Sequence, residues 1–164
     1  MFTLGLATGY GAHELGHITV ATSKGDKVGH NGISIVYPDS TFSNSGHLQV
    51  ASAGFQVQWL MAELALRDGN WKELRDTPSD YRAGVVCAHL GITFAYLTVL
   101  KNNKQGDVVG IAESTKLSND RVAFYLALPG ALDSWRLFGK AVPEWVPQLS
   151  LLAKGLGIAW AWTY

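Results

Sequence analysis

Apolar positions run almost unbroken from Met1 to Thr22, interrupted only at the centre by His13, Glu14 and His17, and end at Ser23-Lys24-Gly25-Asp26. A secretion signal of this hydrophobicity would open on basic residues and hold no such central trio, so residues 1–22 read as a structural helix. Between 27 and 48 the pattern shortens. Glycines, Pro38 and a Ser/Thr/Asn cluster punctuate β-prone runs such as Ile33-Ser34-Ile35-Val36-Tyr37, which predicts one or two short strands. Helical spacing returns over 49–67 through Phe55, Trp59, Leu60, Leu64 and Leu66. A polar surface connection follows from Asp68 to Asp80. A third apolar segment covers 83–100, and Lys101 to Lys116 reads as a polar joint. Within that joint Gly106-Asp107-Val108-Val109-Gly110 reads as a turn, without the lysine and glycine spacing of a phosphate loop. Ser118-Asn119-Asp120 offers N-caps for a helix over 121–138, which Pro129-Gly130 is expected to break. A last helix is expected over 145–163.

The fold class expected is therefore mainly α: about five helices in one domain spanning 1–164, with a short β-prone insertion after the first. Composition changes that picture in one respect. Hydrophobic residues make up 48% of the 164 positions and charged ones 16%, against roughly 25% charged in an average soluble domain. Residues 83–100 hold no formal charge if His89 is neutral, a length that just crosses a hydrocarbon core. Trp145, Trp160, Trp162 and Tyr164 flank the last helix as interfacial aromatics would. These features predict a membrane-embedded, polytopic bundle in contact with a lipid bilayer, with a cytoplasmic helical domain as the alternative. Thirteen basic and thirteen acidic side chains cancel, which argues against a nucleic-acid partner. The lone Cys87 excludes an intramolecular disulfide framework and reads as an inert buried thiol.

The chemistry lies in His13-Glu14-Leu15-Gly16-His17, an H-E-x-x-H pattern. On a helix, positions i and i+4 share a face, so both imidazoles can grip one tetrahedral ion. Glu14 sits about 100° round from His13, within reach of a water at the ion but not of the ion itself. That makes it a general base, and zinc brings the pKa of such a water to about 7. The bland alternative, two satisfied core histidines beside a surface glutamate, is strained by apolar flanks that would bury all three groups without partners.

A third ligand is required. The extended metzincin pattern needs Gly at position 20 and His at 23, where this chain has Val20 and Ser23. Glu63 or Glu113 would serve a thermolysin-like site, without supporting context. Asp133 is the better candidate, a lone carboxylate within an apolar segment that needs a metal or a partner. A salt bridge to Arg136 or Arg121 is the competing account of it.

The order of these features resembles the site-two protease family of intramembrane zinc metalloproteases. There an H-E-L-G-H helix is followed by a small β region, a second helix opening on an A-G-P-L-A-N-like motif, and a third helix with an L-D-G motif whose Asp ligates zinc. Here His13–Ala21 is followed by the β-prone stretch, then Ala53-Gly54-Phe55-Gln56-Val57-Gln58, then Leu132-Asp133-Ser134. The resemblance implies Zn2+ on His13, His17 and Asp133, Glu14 as catalytic base, and Gln58 as a polar group for oxyanion or substrate. Phe55, Gln58 and Ser134 depart from the family's Pro, Asn and Gly, which suits a remote relative.

The function expected is thus zinc-dependent hydrolysis of a peptide bond in a peptide or membrane-protein substrate, by a metalloendopeptidase of this class. A soluble minimal zincin with another third ligand and a non-catalytic metal-binding membrane scaffold are the alternatives. The edge near Ile33–Tyr37 would pair with an unwound substrate strand. His30 and His47 read as solvated. His89 reads as a hydrogen-bonded interior histidine, with a place facing the zinc cavity as the alternative. Ser52 and Ser134 lack the His–Asp company of a serine hydrolase.

Overall fold

The structure is a computed structural model describing residues 1–30, 35–38, 40–67, 74, 76–77 and 80–164. Among these residues five helices surround a long central one, with one two-stranded sheet. The helices are α1 (Phe2–Ser23), α2 (Asn44–Leu66), α3 (Tyr81–Leu97), α4 (Asp107–Thr115), α5 (Asn119–Phe138) and α6 (Trp145–Thr163), so α2 is the centre and the other five its neighbours. The strands β1 (Gly29–His30) and β2 (Ile35–Val36) pair antiparallel, Gly29 opposite Val36 and His30 opposite Ile35. The β-prone residues Ile33 and Ser34, and most of the expected surface connection from Asp68 to Asp80, lie outside the described residues.

Caps set the helix boundaries. Ser43 accepts a hydrogen bond from the Gly46 backbone N–H at 3.1 Å, so α2 starts at Asn44, five residues before the pattern of apolar positions suggests. Asp80 caps α3 by accepting from the Arg82 N–H at 2.7 Å. The helix ends at Leu97, where the Thr98 N–H turns back onto the Phe94 and Ala95 carbonyls. Two expectations fail. The polar joint 101–116 contains α4, a nine-residue helix whose Val108, Gly110, Ile111 and Ala112 are buried against the core. The helix α5 also runs unbroken through Pro129. There the packing of α5 on α3 outweighs one lost backbone bond: a Cβ on Gly130 would lie 2.8 Å from Thr93 Cγ2.

Helix α1 packs on α2 and α3, α2 also on α4 and α6, and α5 between α3 and α6. The α1–α3 crossing is close because both helices present glycine. A Cβ on Gly5 would lie 2.1 Å from the Tyr81 carbonyl, and one on Gly84 2.1 Å from the Phe2 carbonyl. One core cluster gathers Leu48, Phe55, Trp59, Val108, Ile111 and Leu126, and a second gathers Leu66, Leu74, Val86 and Leu137.

The expectation of membrane-spanning helices is not met: among the described residues no helix is long and apolar enough to cross a membrane. The apolar run 83–100 is helical only as far as Leu97, and the whole of α3, Tyr81–Leu97, has 17 residues, against about 20 for a span. The central ionisable residues of α1 and Lys154 in α6 lower the hydropathy of the two longer candidates. Large apolar side chains on α6 are nonetheless exposed, Leu151 by 59% and Leu156 by 60%.

Candidate metal centre

His13 and His17 lie one turn apart on the buried face of α1, their rings T-shaped with centroids 4.8 Å apart. Each ring spends its Nδ1–H on the protein. His13 Nδ1 donates to Gln58 Oε1 at 3.0 Å, and His17 Nδ1 donates to the Val50 carbonyl at 2.7 Å, both acceptors on α2. A backbone carbonyl only accepts, so the His17 proton belongs on Nδ1 and its Nε2 carries a lone pair. The two Nε2 atoms face each other at 3.1 Å. Asp107 Oδ2 closes a triangle at 3.0 Å from His13 Nε2 and 3.3 Å from His17 Nε2. Zinc bonds of about 2.0–2.2 Å in tetrahedral geometry place ligand atoms about 3.3–3.6 Å apart; the sides here, 3.0, 3.1 and 3.3 Å, are slightly shorter, and the three atoms lie close enough together to hold a metal ion. Hydrogen bonds from the distal ring nitrogens to protein acceptors are the usual support of histidine ligands.

The close approach of α2 depends on Gly54. A Cβ there would stand 2.4 Å from His17 Nε2 and 2.6 Å from His13 Cε1. This is the glycine of the Ala53-Gly54 pair, whose part is to let the helix carrying Gln58 and Val50 lie directly behind the imidazoles.

Electrostatics without metal follow from the geometry. Burial disfavours a charged His17, but the Asp107 carboxylate and the Val50 carbonyl outweigh it and raise the ring pKa to about 9. Burial would raise Asp107, and the two histidines overcome it, holding the carboxyl below its ordinary range. Without a metal, His17 therefore carries a second proton at neutral pH, and its Nε2–H then faces the Asp107 carboxylate.

The triangle opens into a cleft of about 800 Å³ lined by Tyr10, Glu14, Tyr37, Tyr96 and Glu113 among others. Glu14 is half-buried on the cleft wall beside His13. The Tyr10 hydroxyl is held protonated chiefly by the Glu14 charge, and to a lesser extent by burial and its hydrogen bond to that carboxylate. Burial raises Tyr96 and Tyr37 above the usual phenol range, reinforced in both by the Asp107 charge.

Three expected site residues fall elsewhere. Asp133 is fully buried, with Oδ1 accepting from Ser150 Oγ at 2.7 Å and Arg136 Nη1 at 3.0 Å, and Oδ2 from Lys154 Nζ at 2.5 Å. Its oxygens are committed to cations, as in the competing salt-bridge account, and the carboxylate brought to the histidines is Asp107. Gln58 stands behind His13 rather than on the cleft wall, so it orients the His13 ring and does not face the cleft. Glu63 pairs with Arg136 and Lys154. His89 joins the same network, its Nε2 3.4 Å from Asp133, and its burial depresses its pKa. Of the remaining candidates, His30 is exposed, His47 is half-buried on the cleft wall, stacked on Phe42, and Cys87 is a half-buried thiol. The signal for Asp107 was present but faint: a carboxylate on the first turn of a helix whose next residues alternate into the core.

No family model matches the sequence, and no match was found among curated proteins or solved structures. The resemblance to site-two proteases therefore rests on the motifs alone, and its third-ligand assignment does not coincide with the carboxylate beside the histidines.

Proposed function

We propose that this chain is a zinc-dependent hydrolase of peptide bonds whose metal ligands are His13, His17 and Asp107 and whose general base is Glu14. The observation that carries the reading is the triangle of three acceptor atoms, 3.0–3.3 Å on a side, with both histidine Nδ1–H groups already committed to the protein. When bound, zinc supplies a Lewis acid and lowers the pKa of water to about 7. Glu14 takes one proton from the attacking water as its oxygen bonds to the scissile carbonyl carbon. It then delivers that proton to the amide nitrogen as the C–N bond breaks. Val36 and Tyr37 line the cleft, and among the described residues β2 pairs with β1 alone. That arrangement favours an extended peptide laid along β2.

Metal content tests the assignment. The wild-type chain should hold about one zinc, as should Asp133→Ala where it folds, whereas Asp107→Ala should lose it, because catalytic zinc is held through three protein ligands. Zinc retained in Asp107→Ala and lost in Asp133→Ala would reverse the assignment.

A further inference from the structure

Away from the metal cleft the helices leave a second cavity, of about 330 Å³, between α2, α4, α5 and α6. It shares no lining residue with the cleft. Trp59, Ile111 and Leu126 form its buried floor, and Leu128, Leu156 and Trp160 stand exposed at its mouth. No lining side chain is charged, and the Ser52 hydroxyl already donates to the Leu48 carbonyl at 2.7 Å. A held water needs two to four polar partners, which such walls do not offer. The void is also fixed in shape. A Cβ on Gly157 would lie 2.8 Å from Trp59 Cζ3, and the indole meets Phe55 at 6.5 Å on its other side. Trp59 therefore has no room to swing and fill the space.

Shape and surroundings select the occupant. The lining follows α6 from Ala153 to Ala161, eight residues or about 12 Å of helix, so the volume is drawn out along the helix. Between Trp145 and Thr163 the only ionisable side chain of α6 is Lys154, and it is buried on Glu63 and Asp133. The outward face beside the mouth is thus without charge, and Trp160 is of the residue type that settles where hydrocarbon meets a polar headgroup. We propose that this cavity is a binding site for one long-chain acyl group, its hydrocarbon laid along α6 over Trp59 and its polar end at the mouth beside Trp160. The site does not depend on the metal centre, and zinc content does not enter its test.

The test uses the full chain and 12-bromododecanoic acid below its micelle concentration, because bromine quenches tryptophan fluorescence on contact. Expected in the wild type is saturable quenching at about one acyl chain per protein chain, displaced by unbrominated dodecanoic acid. Ala153→Phe fills the slot from α6 and should raise the Kd about tenfold or more by excluding several methylene groups from burial. Circular dichroism checks that the variant folds, and Ala153→Met is read in its place if it does not. Leu151→Ser, on the exposed face of α6 and outside the lining, should leave the Kd unchanged. Vesicles of phosphatidylcholine with brominated chains separate the two sources of such a chain. Quenching by vesicles that Ala153→Phe abolishes assigns it to a bilayer lipid; quenching by the free acid alone assigns it to a fatty acid. No saturable quenching by either probe overturns the proposal. So does an equal Kd in the filled variant, or a loss in Leu151→Ser as large as in Ala153→Phe, which would mean adsorption on the open face of α6.

Discussion

Glu14 differs from its neighbours in one property, a proton acceptor that faces the cleft without belonging to the ligand triangle. Glu14→Gln keeps the shape and removes that acceptor. Zinc should stay bound while hydrolysis of a quenched peptide falls roughly 100-fold or more, the scale of general-base loss. Unchanged turnover in the zinc-loaded variant would remove Glu14 from the mechanism. His17 makes a second prediction through pH. Its folded pKa of about 9 stands above the ordinary 6.5, so the stabilisation it gives the metal-free fold is complete below pH 6.5 and is lost as pH rises through 9. Zinc must displace the same proton. Its apparent affinity should therefore climb about tenfold per pH unit from 7 toward 9 and then flatten. A calorimetric series with a flat profile over that range would show that His17 is not the protonated partner.

At the scale of elements, the centre depends on how closely α1 and α2 approach. Gly54→Ala places a methyl group 2.4 Å from His17 Nε2, so the helices must part or the imidazoles must turn. The expected cost is about 1–3 kcal/mol of stability, as for other overpacked contacts, with zinc affinity lowered at least tenfold and helix content by circular dichroism unchanged. Gly11→Ala is the control, since a Cβ there meets nothing within 4 Å; zinc affinity equal in both variants would sink the packing argument. The element that escapes a reading of the pattern is α4. Its flanks, Lys101–Gln105 and Lys116, are polar, and nine residues give only about two and a half turns of periodicity, so Gly106 and Gly110 read as a turn. Burial of Val108 at 0% and Ile111 at 3% against α2 makes it a helix instead, and that helix delivers Asp107.

The whole molecule is tied by a buried charge network on α2, α5 and α6, in which Arg136 and Lys154 bridge Asp133 and Glu63. Lys154→Met would leave Asp133 short of a cation at 0% exposure. A loss of about 3–5 kcal/mol is expected in denaturant unfolding, with the zinc content of the folded fraction unchanged because the network is not the ligand set. A loss under about 1 kcal/mol would mean that Arg136 alone neutralises the site. The sequence by itself determined the helical class and the placing of His13 and His17 on one face of a helix with Glu14 beside them, because i, i+4 spacing on a helix is a local property that needs no partner element. It also identified Asp133 as a carboxylate that must be compensated. Which carboxylate meets the histidines was decided only by tertiary structure. Asp107 and Asp133 lie 94 and 120 positions beyond His13 in the chain, and no local pattern encodes such distances. The choice follows from packing: α4 folds onto α2 beside the imidazoles, while Lys154 and Arg136 reach Asp133 first.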